Sequence, residues 1–401
     1  MSSAHDPSPR ESRASTLRAA RIVTGVACAF SLRCAAPAGL DAGGGVGQAE
    51  PPPPGTATPP ATEPPGPRRA DAGRDAPDAP VVRPIAGVIV GTLAGSAEAG
   101  SVDGVGASAR FDNPVGVLVG PSGALLVTEY DGRRVRRVAI EGTTSTLATG
   151  LGDAFGLVRT ADAIFVQTDR AAAGTKDATS GTIWRLGLDG ASPEPVVTGL
   201  GRPRGLVERA DGKIVVSDRM RHVVMLLDPI TQAIETLAGS GTAGLRDGRG
   251  EAAQLAEPYG LTVLPDGDVV VADRANHCLR RITAGGVVTV FAGEGTRGMK
   301  DDDDRWRARF DSPIDVAADV HGNVFVSDSG NHRIRRIAAG GGVQTVAGDG
   351  TAGFADGDGR GARFFGQEQL AVTADGAVVY VADGSRGEVA PFHRIRRITL
   401  P

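Results

Sequence analysis

With 401 residues, 41% of them hydrophobic and only 4% aromatic, the chain has enough apolar material for a sizeable folded domain but little to stack on bases. Its formal net charge of −4 argues against a nucleic-acid partner, which would call for a basic surface. Of three cysteines only Cys278 lies beyond residue 34, so that region has no internal disulfide and must be held by strand pairing and apolar packing.

The chain starts with export-signal grammar. Arg10, Arg13, Arg18 and Arg21 precede an apolar run, Ile22 to Leu32, and AAPAG then supplies Ala36 and Ala38 in A-x-A spacing. The run is too short for a permanent membrane span. Arg33 near its end is irregular, which keeps a disordered start as the alternative. Cys28 and Cys34 raise a lipoprotein variant, in which an acylated cysteine tethers the protein to a membrane. Residues 1–38 are thus expected to be a signal peptide or lipoprotein signal, and the protein to be periplasmic, outer-membrane-anchored or extracellular. Residues 39–85, with Pro-Pro-Pro-Pro at 51–54 and ADAGRDAPDAP, offer almost nothing to bury and read as a disordered linker.

After residue 85 the chain repeats itself. Asp218, Asp273, Asp328 and Asp383 are each 55 residues apart, and each closes a short apolar run: KIVVSD, DVVVAD, NVFVSD or VVYVAD. A fixed period of this kind marks a solenoid or propeller. The clearest copy runs SPIDVAAD, VFVSD, RIRRIA and VQTVAG with Gly, Asp or Asn between, which predicts four antiparallel strands, a to d, forming one blade. Six copies can be found, with first strands near Pro114, Phe155, Pro203, Pro258, Pro313 and Gln367, the second being the most degenerate. The last copy stops at HRIRRITLP without a strand d, whereas VIVGTLAG, ending at Gly95, matches the d strands. The expectation is an all-β, six-bladed β-propeller over 86–401 whose N-terminal strand closes the last blade and leaves no open sheet edge.

The strings VSDSGNHRIRRI, VADRANHCLRRI and YVADGSR resemble the NHL repeat. The likeness is sharp in copies three to six, good in copy one (VTEYDGRRVRRV) and weak in copy two. The resemblance implies a six-bladed propeller. It implies no single activity, because the family includes RNA-binding, protein-binding, extracellular sensor and lyase members.

Strand alternation puts the d-to-a linkers and b-to-c turns on one face, and both are elaborate, while the a-to-b turns such as PDGD are minimal. Four linkers share a Gly-rich start, a central acid and an anchor, Phe111, Leu255, Phe310 or Phe364, expected to plug the cleft between blades. Because the motif recurs, it reads as a structured loop. Calcium at Asp356 and Asp358, or at Asp301 to Asp304, is the alternative; no other cofactor is expected. His222, His277 and His332 share one repeat position and are read as local hydrogen-bonding groups rather than metal ligands. Arg136-Arg137, Arg280-Arg281, Arg335-Arg336 and Arg396-Arg397 read as interblade polar ties.

Differences between blades are more informative than repeats. The mouth-facing position of strand a reads Val115, Ala154, Arg204, Tyr259 and Ile314, and in the last two blades the following glycine becomes Asp315 and Gln369. Arg204, Tyr259, Asp315 and Gln369 are therefore ligand-contact candidates. From the strand-b aspartate to strand c there are six residues in blade five, but 14 in blade two (Asp169 to Ile183) and 12 in blade six (Asp383 to Ile395). The first insertion, RAAAGTKDATSG, suits a mobile flap, and the second carries Phe392, a fifth contact candidate; together they would wall a cleft above blade one. Neither G-x-S-x-G nor H-E-x-x-H occurs, so no catalytic residue is assigned. The function most consistent with these features is an exported, monomeric binding scaffold that presents its loop face to a protein, peptide or glycan. The alternative is a small-molecule lyase or lactonase-like enzyme using the channel mouth.

Overall fold

In the computed structural model, which describes residues 81–384 and 392–401, each of the six repeats forms one antiparallel sheet with strand order a-b-c-d. Blade five shows the pattern, with strands Pro313–Ala318, Val324–Asp328, Arg333–Ile337 and Val343–Ala347. Its strand b is buried along its whole length, as are Val269–Asp273 and Ile214–Asp218, which is why these segments read as unbroken apolar runs rather than alternating ones. Strands a of neighbouring blades touch all the way round, blade six against blade one included, so the ring is closed.

Closure occurs as the sequence suggested. Ile89–Ser96 pairs antiparallel with His393–Thr399, matching Val90 to Ile398 and Ser96 to His393, and so supplies strand d of blade six. Short linker segments add a fifth strand at the rim: Gly104–Val105 on blade one, Gly248–Arg249 on blade four and Gly357–Asp358 against the closing strand. These cover edges that would otherwise offer unpaired backbone groups. Apolar clusters fill the gaps between sheets; one joins Phe325 and Ile334 of blade five to Val379, Val381 and Ile398 of blade six and to Val88 and Val90.

The expected signal and most of the linker lie outside the described residues. Residues 81–85, expected to end the linker, run along blade five instead: the Ile85 amide donates to the Thr345 carbonyl at 3.0 Å and the Arg83 amide to Asp301 Oδ2 at 2.6 Å. Removal of residues 1–80 should therefore leave the melting temperature nearly unchanged, whereas removal through Ser96 should abolish cooperative melting by opening blade six. Equal melting of the two truncations in calorimetry would contradict the closure.

Candidate functional site at the propeller mouth

The repeating polar residues turn out to be occupied by the fold itself. Arg136, Arg280, Arg335 and Arg396 are fully buried on strand c. Each binds the acid ending strand b: Glu129 at 2.7 Å, Asp273 at 3.2 Å, Asp328 at 2.7 Å and Asp383 at 2.9 Å. Each also binds the central acid of the preceding linker: Asp103 at 2.7 Å, Asp247 at 2.6 Å, Asp301 at 2.8 Å and Asp356 at 2.7 Å. The anchors Phe111, Phe310 and Phe364 lie under three of these guanidiniums, 5.0–5.1 Å away. The arginines are thus ties between a linker and its own blade, not between blades. In blades two and three, where the linkers are short, Trp184 and Met225 occupy the arginine position.

The linker acids considered for calcium have protein partners. Asp356 also accepts from Thr92, Asp302 pairs with Lys300 at 3.0 Å, and Asp304 caps the Trp306 amide at 3.0 Å. Burial, only partly offset by Arg136 and Arg134, raises Glu129 to about 7, and burial likewise outweighs Arg280 and raises Asp273 to about 6. Replacing Arg335 by Met should cost about 3–5 kcal/mol, because Asp328 and Asp301 would be left buried without their cation. Denaturant titration measures this; a loss no larger than that of an exposed pair would refute the role.

The histidines strap blade to blade. Nδ1 of His222, His277 and His393 accepts the amides of Glu257, Ser312 and Asn113 at 3.1, 3.0 and 3.1 Å. Each of these acceptor-bound amides belongs to the residue just before strand a of the next blade, held at a positive φ of 49–54°. His393 belongs to this set although the blade-six insertion hid its repeat position.

At the axis, the second residue of each strand a forms a ring: Val115, Phe155, Arg204, Tyr259, Ile314 and Glu368. In blade two the ring residue is Phe155, not Ala154, because Ala154 opens the strand opposite Thr168. That pairing also moves Asp169 one residue past the repeat-acid position, which Thr168 fills. Asp169 is thereby freed to meet Arg204, with Nη1 to Oδ1 2.6 Å and Nη2 to Oδ2 3.1 Å. The buried guanidinium lies 4.4 Å from the Phe155 ring centre and 5.6 Å from that of Tyr259, and the two rings meet edge to face at 5.7 Å. Burial works to raise Asp169, but Arg204 and Tyr130 outweigh it and hold the carboxyl below its ordinary range. Sequence reasoning singled out Arg204 and Tyr259 but passed over Phe155, Asp169 and Tyr130, which the structure places beside them; the one-residue slip in blade two was the available signal.

The blade-two insertion is pinned rather than free. Lys176 donates to Asp153 at 2.7 Å and to the Tyr130 hydroxyl at 2.9 Å, and that hydroxyl donates to Asp169 at 2.8 Å. The insertion thus reaches over blade one and completes a polar chain ending at Arg204. Residues 385–391 of the blade-six insertion lie outside the described residues, but Phe392 near its end stacks on Phe365 with ring centres 4.5 Å apart.

Asp315 and Gln369 sit below the ring, and both are buried. In blades one to four glycine holds this position because neighbouring strands a approach too closely for a side chain; a Cβ on Gly156 would run into the Arg204 carbonyl. Blades five and six instead send side chains into the axis. Gln369 Nε2 donates to the Arg204 carbonyl across the ring at 3.4 Å, and Asp315 Oδ2 accepts from the Leu370 amide at 2.8 Å. Burial, with Glu368 nearby, lifts Asp315 well above the usual carboxylate range. A carboxyl raised in the fold keeps its proton while the unfolded chain loses it, so Asp315's contribution to stability should fall as pH climbs above about 4. Asp315→Asn should remove that share of the pH dependence, Glu129 and Asp273 keeping theirs, and so gain stability relative to wild type with rising pH, read from melting curves between pH 4 and 8. Parallel curves for the two proteins would overturn it.

The NHL repeat model matches residues 255–282 and 310–337, which end with strand c of blades four and five. The chain thus carries NHL repeats in blades four and five of a six-bladed propeller. A stretch of 70 residues is 43% identical to Protein SUPPRESSOR OF QUENCHING 1, chloroplastic, of Arabidopsis thaliana, spanning 18% of this chain and 7% of that protein. An auxiliary nutrient binding protein from Bacteroides thetaiotaomicron superposes with a TM-score of 0.61 at 20% identity, over 78% of this chain and 76% of that one. A putative phosphatase from the same organism superposes with a TM-score of 0.60 at 17% identity, over 78% and 79%. At these identities the likeness is one of fold, and the propeller's function has to be argued from its mouth.

Proposed function

We propose that this NHL-repeat propeller is an exported binding scaffold that recognises a protein, peptide or glycan at its mouth face. The observation that carries this is the Phe155–Arg204–Tyr259 cluster: repeat-position arginines, acids and histidines serve the fold, while the residues that break the repeat converge on the axis. Tyr259, with its hydroxyl raised to about 12 by burial, and Phe392 are the proposed contacts; Arg204, Asp315 and Gln369 support the platform from beneath. Aromatic rings backed by a fixed cation suit sugar faces and peptide side chains. Export rests on the arginine-rich, then apolar N-terminal segment. Among the described residues no helix is long and apolar enough to cross a membrane.

The test is amide hydrogen exchange on the full chain against panels of oligosaccharides and peptides. Protection should centre on Tyr130, Lys176, Tyr259 and Phe392, and Phe392→Ala and a shortened 170–181 turn should each weaken binding about tenfold with melting temperature almost unmoved. Protection confined to the opposite face would sink the assignment. Turnover of a lactone, lost in Tyr259→Ala, would establish the lyase or lactonase-like alternative instead.

A further inference from the structure

In blades one and four the second arginine of the strand-c pair lies beside the a-to-b turn of its own blade, on the face opposite the mouth. In blade four that turn is Pro265-Asp266-Gly267-Asp268, and Arg281 is held by Asp268 at 2.6 Å and Asp266 at 2.8 Å. In blade one the turn reads Pro121-Ser122-Gly123-Ala124, so both carboxylates are gone. Arg137 occupies the place of Arg281, and its guanidinium has no ion pair or hydrogen-bonded partner among the described residues. Across the gap stands Arg159, the last residue of strand a in blade two, where the other blades carry Val119, Glu208, Val263, Ala318 or Val372. It forms no ion pair either among the described residues, although Glu208 of blade three lies near enough to feel its charge. The two guanidiniums flank a cavity of about 310 Å³ whose apolar wall is Leu126, Ile164 and Leu188.

We propose that this cavity between blades one and two binds a small organic oxyanion, a carboxylate or phosphate monoester carrying a short apolar body. Loss of the internal carboxylates leaves a guanidinium fork whose geometry matches an oxyanion. The second arginine adds charge from the facing wall, and the three aliphatic side chains give the body of the ligand something to cover. The volume lies at the small end of ligand pockets, which limits that body to a phenyl or hexyl group. This site is separate from the mouth, and binding there does not depend on what the mouth recognises.

Calorimetric titration of the full chain with hexanoate, phenyl phosphate and inorganic phosphate tests it. At least one organic probe should bind saturably, and at least about tenfold more tightly than inorganic phosphate. The double variant Arg137→Ala, Arg159→Ala should weaken that binding by about tenfold or more. So should Ser122→Asp with Ala124→Asp, which rebuilds around Arg137 the carboxylates that blade four gives Arg281; melting temperature reports that both variants remain folded. The proposal is overturned if neither organic probe binds at millimolar concentration, if inorganic phosphate binds equally well, or if binding survives both variants.

Discussion

A guanidinium buried in strand c is the interaction on which most of this propeller is organised. Removing such a charge from water is costly unless anionic partners surround it. Here one partner ends the neighbouring strand b and the other arrives from the linker that precedes the blade, as with Asp328 and Asp301 around Arg335. The linker is therefore drawn across the blade, its anchor ring is placed under the guanidinium, and its central segment is set against the outermost strand. Arginine and long linker go together in blades one, four, five and six. Where the linker is short they are absent together: in blade three Asp218 accepts backbone amides from Gly201 and Arg202 instead.

This division of labour separates scaffold from site. A polar residue repeated at a fixed position solves the same folding problem in each blade, as the histidine straps show by accepting the amide that introduces the next strand a. Residues that appear once have no such duty. Phe155, Arg204 and the pinned turn around Lys176 come from blades two and three, the two with short linkers, and meet at the axis. The repeat is weakest where the mouth is most distinctive.

The two faces of the ring differ in chemistry. The mouth presents a cation already satisfied by Asp169 and covered by aromatic rings, so recognition there depends on shape and ring faces more than on charge. On the opposite face, Arg137 and Arg159 retain charges that no carboxylate of the described residues neutralises within ion-pairing distance. Fold-level likeness to other propellers informs neither, because such sites are set by a few non-repeating side chains on a common frame.

The blade count was legible in the repeat marked by Asp218, Asp273, Asp328 and Asp383, and the closing strand in VIVGTLAG matching the strand d that the last copy lacks, because strand period and turn chemistry are local properties. So were Arg204 and Tyr259 as departures from the repeat. Pairing register was not legible in blade two: only the match of Ala154 to Thr168 puts Phe155 on the ring and turns Asp169 toward Arg204. The sequence likewise marked the linker acids and the strand-c arginines as separate motifs, and their union needed the linker to fold back over the blade. Gln369 contacts the Arg204 carbonyl 165 residues away, and Arg137 faces Arg159 across two blades. Ring closure brings the first pair together and the packing of consecutive blades the second, and no local pattern along the chain encodes either contact.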